Sequence, residues 1–331
     1  MIAEAGRTII LYGDSGLGKT TNAVEFAKLA YETTHKPVRL ITAEGSSTIP
    51  FAPLINVGAV LPLYLMNAKT PLPAIRRLSR GDWPTKDDKG AWKWSPWDGS
   101  AGAYIIEGLT SLSELLLENQ RDTQRMMAEQ REKAFTEAEG GENFSFAKSS
   151  MSNYDFVQCE MLRNLKAFGG LPVWRVLWTG HENKGEDEDT KMAIRGPGLV
   201  GKAKTGIVQK YCSVLLHLEG YNEVKPFTEG TQKLSSVTTR RRIWFTPHPD
   251  QLFDKITYPS KVTLPVDRLA ELQQQFPHGY FEPSLKDGVL VNSLADFIRA
   301  EDKLVQGATD KAAAWKAGID NEMALQKQQA V

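Results

Sequence analysis

Short apolar runs alternate along the chain with stretches whose apolar residues recur at helical spacing. Residues 8–12, TIILY, predict a short buried strand. Residues 19–33, KTTNAVEFAKLAYET, bring Ala23, Phe26, Ala27 and Ala30 onto one helical face. A second strand follows at 37–44, PVRLITAE, and ends in the carboxylate of Glu44. Residues 103–118, AYIIEGLTSLSELLLE, predict a third strand passing into a long polar helix that extends to about Glu139. Further strands are expected at 173–182, 211–220 and 237–247. Strands alternating with helices predict an α/β fold, a mostly parallel sheet with helices on both faces.

Several segments break this rhythm. Residues 81–102 form a Trp-rich insertion punctuated by Gly and Pro. Residues 139–153 have the composition of an exposed loop, and residues 182–206 form a long, polar, Gly-rich connection of the kind that is functional or disordered. From about Ala300 the chain is rich in Ala, Lys and Gln and prone to helix. The organisation expected is a core over residues 1–250, with the insertion 81–102, and a less regular extension with a helical tail over 251–331. There is no internal repeat.

Composition narrows the partners. Forty Lys and Arg balance forty Asp and Glu in 331 residues, so any nucleic-acid site must be a local patch. Cys159 and Cys212 are far apart and form no CxxC, which argues against a disulfide framework or a zinc site and fits a reducing cytoplasm. The longest apolar stretch, about 55–66, is interrupted by Asn56, Gly58 and Pro62 and is too short for a bilayer. The first residues, MIAEAGR, lack the pattern of a signal peptide. A cytoplasmic protein without a membrane partner is expected.

The strongest chemical signal is Gly13-Asp14-Ser15-Gly16-Leu17-Gly18-Lys19-Thr20, which matches G-x-x-x-x-G-K-[ST] and is followed by Thr21. Glycines let a loop turn tightly and bring backbone N–H groups close to a polyphosphate. The helix that follows aims its positive end at the same anion. Lys19 would reach the β and γ phosphates, and the Thr20 hydroxyl would hold Mg²⁺. The glycines at 13, 16 and 18 have the wrong spacing for the dinucleotide pattern G-x-G-x-x-G.

Hydrolysis needs a carboxylate near the metal and a group that orients water. Glu107, directly after the strand in YIIEG, stands where a metal-binding acid belongs, or caps the turn. Glu44 could polarise water, or simply end an exposed strand. His181, after VLWTG, could sense the terminal phosphate, or be structural.

The order of these pieces resembles the RecA-type ATPase core over roughly residues 7–250, and most closely the phage-encoded RecA-like ATPases linked to single-strand annealing and recombination. The resemblance implies ATP and Mg²⁺ as cofactors. It implies Glu44 as catalytic glutamate, Glu107 as the Walker B acid in place of the usual Asp, and His181 as a γ-phosphate switch. Loop 182–206 would be the DNA-contacting loop. Its Glu182, Glu186, Asp187, Glu188 and Asp189 would repel a phosphate backbone, and its Lys191, Arg195, Lys202 and Lys204 would attract one. Family members commonly work at subunit interfaces, which makes a homo-oligomer expected and makes Arg240, Arg241, Arg242 and Lys255 candidates for a residue reaching into a neighbour's site. A charge run of this kind on an edge strand is more often a solvated face.

The function implied is an Mg²⁺-dependent ATPase acting on single-stranded DNA in phage recombination, repair or replication, with single-strand-binding or recombination proteins as partners. The alternative is a slowly hydrolysing, nucleotide-dependent switch that recruits partners through the polar helix and the tail. A motor would need a trans-acting arginine that the sequence does not single out. In the insertion, Trp83, Trp92, Trp94 and Trp97 lie among Lys86, Lys89 and Lys93, a pattern able to stack single-stranded bases. Asp82, Asp87, Asp88 and Asp98 weaken that attraction and favour a hairpin packed by its indoles.

Overall fold

The structure, a computed structural model, describes residues 7–67, 70–139, 151–186, 193–200, 207–229, 232–247, 256–257, 260–264, 266–287, 289–304 and 306. Its centre is strand β1 (Arg7–Gly13), followed by α1 (Lys19–Thr34) and β2 (Val38–Thr42). Then come α2 (Ala52–Asn56), β3 (Val60–Tyr64), α3 (Pro71–Leu78) and a hairpin of β4 (Trp83–Lys86) and β5 (Trp92–Ser95). β6 (Ala103–Glu107) leads into α4 (Leu109–Glu139) and α5 (Met151–Gly169). β7 (Arg175–Glu186), β8 (Ala193–Pro197), β9 (Val214–Glu229) and β10 (Gln232–Trp244) follow.

The main sheet runs in the order Tyr280–Phe281, β10, β9, β1, β7, β6, β2, β3. From β9 to β3 every neighbouring pair is parallel; β10 and the short strand Tyr280–Phe281 are antiparallel. The sequence explains why these strands lie inside. In β1, Ile9 and Leu11 point to one face and Ile10 and Tyr12 to the other, and all four are fully buried. A strand that is apolar on both faces needs a helix layer on each side. On one side, α3, α4 and α5 contribute Ile75, Leu112, Met161 and Phe168 to one core with Trp178 of β7, whose ring meets that of Phe168 edge-on. On the other, α1 contributes Phe26 and Ala27, joined by Phe297 and Ile298 of the helix 294–304. The fold class is therefore the one expected, a mostly parallel α/β sheet covered on both faces. The described part of the extension packs against α1, where the Leu294 amide donates to Asn22 Oδ1 at 3.0 Å.

Two of the interruptions take a definite form. In the insertion, the Arg39 guanidinium lies 4.9 Å from the Trp83 ring centre and 5.4 Å from that of Trp97. It also donates to the Gly81 carbonyl at 2.9 Å and to the Tyr104 hydroxyl at 2.6 Å. The hairpin is thus fastened to the sheet by cation–π contacts and buried hydrogen bonds. Trp92 alone of the four indoles is largely exposed, at 69%.

The connection expected over 182–206 is not a loop at its start. β7 continues to Glu186 and pairs antiparallel with β8, Glu182 opposite Pro197 and Lys184 opposite Arg195. Glu182, expected to repel DNA, is instead buried between Arg195 Nη1 at 3.3 Å and His217 Nε2 at 3.0 Å. Burial alone would raise its pKa; these two partners hold the carboxyl below the usual range. Asp187, Glu188, Asp189, Lys191, Lys202, Lys204 and Lys255, and most of the loop 139–153 and the tail, lie outside the described residues. Among the described residues no helix is long and apolar enough to cross a membrane.

Candidate active site

The cleft opens at the C-terminal ends of the parallel strands, where β7 lies between β1 and β6. In open α/β sheets ligands bind outside these strand ends, at the point where the strand order reverses.

The glycines of the loop after β1 serve different purposes. Gly16 and Gly18 adopt left-handed backbone, φ +76° and +96°, which L side chains rarely tolerate. Gly13 does not; a Cβ there would lie 2.1 Å from the Leu218 carbonyl oxygen of β9. α1 starts at Lys19 with no side-chain cap and no acid in its first turn. Its leading N–H groups are therefore open to an anion. Lys19 Nζ bends back over the loop and donates to the carbonyls of Gly13 at 2.9 Å and Asp14 at 2.7 Å. Burial pushes the Lys19 amine below its usual pKa, against the pull of Glu107, Asp14, Glu44 and Glu182.

The ends of β2 and β6 bring the acids, and the middle of β7 the imidazole, to this loop. Glu107, at the end of β6, is 5% exposed. It accepts from Thr20 Oγ1 at 2.6 Å and from Thr179 Oγ1 at 2.8 Å. Burial raises its carboxyl pKa, the Thr20 and Thr179 hydroxyls lower it, and nearby Glu44 raises it further. Glu44, just past β2, accepts from the Ser111 hydroxyl, and its own amide donates to Thr42 Oγ1 at 2.8 Å. Gly108, φ +88°, lets β6 turn beneath that carboxylate; a Cβ there would stand 3.0 Å from Glu44 Oε1. His181 sits opposite Gly13 in the β1–β7 register, its amide donating to Thr110 Oγ1 at 3.1 Å. Burial first, and the Lys19 charge second, hold its imidazole below the usual pKa.

One cavity of about 310 Å³ is lined by Lys19, Thr20, Thr21, Glu44, Glu107 and His181, with Ser15, Gly16 and Gly18 on the loop side. Asp14 contributes its carbonyl to the Lys19 contact, and Leu17 turns inward to the core. The arginines lie on the far side of β1. Arg240 pairs with Glu223 at 2.9 Å. Arg242 pairs with Glu282 at 3.0 Å and lies 3.7 Å from the Tyr221 ring centre.

Sequence reasoning passed over Thr179 and Ser111. Thr179 accepts from the Gly108 amide at 3.0 Å while donating to Glu107, so it sets the acid's position. Its signal was available, since Thr179 and His181 are two apart on one strand and share a face. Ser111 lies on the first turn of α4, and nothing in its local sequence marks it.

Fold and loop together define a P-loop α/β protein. No protein-family model and no curated protein sequence matches the chain. A solved structure of a KaiC-like protein from the hyperthermophilic archaeon Pyrococcus horikoshii OT3 is similar at TM-score 0.40 and 10% identity, over 87% of this chain and 89% of that one. So distant a likeness carries no functional argument, and the function is argued from the site itself.

Proposed function

We propose that this chain is an Mg²⁺-dependent ATPase of RecA-like type. One observation carries the proposal: Lys19 and Thr20 from the start of α1, Glu44 and Glu107 from the ends of β2 and β6, and His181 from β7 line one cleft over an uncapped helix N-terminus. The fit to a metal is chemical. Thr20 Oγ1 and a Glu107 oxygen, 2.6 Å apart, are hard donors of the kind Mg²⁺ takes alongside phosphate oxygens. Thr20 and Glu107 would hold the ion, which would supply positive charge to offset the negative charge developing on the phosphates.

The chain's own residues supply the rest. Backbone N–H groups from Gly13 to Thr20 cradle the polyphosphate, and Lys19 exchanges its loop carbonyls for the β and γ phosphates. Glu44, oriented by Ser111, accepts a proton from water as the water oxygen bonds the terminal phosphorus. The bond from that phosphorus to the β-bridging oxygen breaks, and ADP leaves. His181, neutral when free, contacts the terminal phosphate and responds to its loss.

The polymer acted on is proposed to be single-stranded DNA, in recombination, repair or replication. This is supported by the continuity of β7, since the strand carrying His181 runs straight on into the hairpin with β8. A phosphate-release assay with Mg²⁺, with and without a single strand, tests both parts. Stimulated turnover is expected. Bound nucleotide with no turnover in either condition would defeat the enzyme reading. A second reading, a slowly hydrolysing switch that recruits partners or further copies of this chain, is favoured by α4. This 31-residue helix exposes Met126 and Met127. Nucleotide-dependent assembly without stimulation by DNA would support it.

A further inference from the structure

Three consecutive arginines on β10 have separate fates. Residues along a strand alternate between its faces, so Arg240 and Arg242 point one way and Arg241 the other. The first two are held by Glu223 and Glu282. Arg241 has no ion-pair partner among the described residues, and it turns toward the phosphate loop. A Cβ built on Gly18 would stand 3.6 Å from Arg241 Nη1 and 3.8 Å from Thr21 Oγ1. The spacing between loop and strand is fixed by a close fit. Arg241 pairs with Gly220 of β9, and a Cβ at Gly220 would meet Leu17 Cδ2 at 2.6 Å, so the loop rests directly on that bare backbone.

We infer that Arg241 contacts the bound nucleotide from within its own chain, at the α-phosphate and nucleoside end. The inference rests on the triphosphate reading above. Glu44, Glu107 and His181 lie on β2, β6 and β7, all on one side of β1, and they fix the terminal-phosphate end of the cleft. A polyphosphate laid over the loop from that end leaves toward β9 and β10, where Thr21 and Arg241 flank Gly18. A guanidinium there presents a planar fork matched to phosphate oxygens and to the face of a base. An arginine serving a neighbouring subunit would point away from its own loop.

The test is equilibrium binding of ATP and of ADP, each with Mg²⁺, to the wild-type chain and to K19A, R240A, R241A and R241K. R241A is expected to weaken ATP and ADP by the same factor, about tenfold, equivalent to about 1.4 kcal/mol. R241K should recover part of the loss, and R240A should bind as wild type. Arg241 is exposed, so a thermal melt of R241A is expected to match wild type. Unchanged binding by R241A, while K19A loses it, would overturn this inference and leave the nucleotide reading intact. A loss confined to ATP would move Arg241 to the terminal phosphate and overturn it equally. A wild-type chain that binds neither nucleotide would remove both readings.

Discussion

The two flanks of β1 are built on opposite plans. Toward β7, β6 and β2, the cleft wall consists of buried and half-buried groups that hold one another: Thr179 and Thr20 on Glu107, Ser111 on Glu44, Thr110 on the backbone of His181. Toward β9 and β10, the wall is a ribbon of arginines, two half-buried and tied to acids and one exposed and turned to the loop. The first flank's mutual hydrogen bonds suit the chemistry on a terminal phosphate proposed above, which requires groups that do not rearrange. The second suits holding the rest of the proposed nucleotide. On the proposed function, the difference separates groups whose loss should stop turnover from groups whose loss should weaken grip.

The largest effect that could break this division is at Glu44. Glu44→Gln should lower the rate of phosphate release about 10²- to 10⁴-fold, the range of a general base, while ATP affinity stays within a few-fold. A similar fall in affinity, measured by calorimetry, would mean that this flank grips as well as cuts. Thr179→Val comes next. It leaves the Gly108 amide and a Glu107 oxygen unpartnered in a buried place, a cost of about 1–3 kcal/mol readable in a denaturant melt, together with weaker Mg²⁺ dependence. Arg242→Ala sharpens the comparison on the other flank. Losing its stacking on Tyr221 should cost about 0.5–1 kcal/mol of stability and leave nucleotide affinity unchanged. A loss of affinity there would show that the ribbon acts as a unit.

The smallest expected effect is a titration. The His181 imidazole is held below its usual pKa, so its protonation favours the unfolded chain. Stability of the free protein should therefore decline as pH falls below the ordinary imidazole value. A triphosphate brings negative charge beside the ring and screens Lys19, which should raise the His181 midpoint in a proton NMR titration. By linkage, nucleotide binding tightens as pH falls through that midpoint. A midpoint that moves down on binding would mean that the ring does not face the phosphates.

The chain advertised some of this architecture and concealed the rest. The loop from Gly13 to Thr20 was legible because its spacing is local, and Glu44, Glu107 and His181 because each follows an apolar strand. Ser111 and Thr179 depend on strand order. β7 lies next to β6, and α4 starts beneath β2's end, and neither neighbour can be read from a single segment. The three arginines looked alike in composition. Only strand alternation separates Arg241 from its neighbours, and only the fit of Leu17 on Gly220 gives that separation a direction. The pairing of Glu182 could not be read from its own segment because its partners are residues 195 and 217.

Gly13 heads the phosphate motif, yet its lack of a side chain answers to β9, whose carbonyl occupies the space a methyl group would need. A descendant of this fold that had lost all nucleotide chemistry would still be obliged to keep glycine at that position. Its presence alone therefore says little about activity. On the proposed function, Lys19 and the left-handed pair at 16 and 18 are the residues whose replacement would mark a chain that had abandoned its nucleotide.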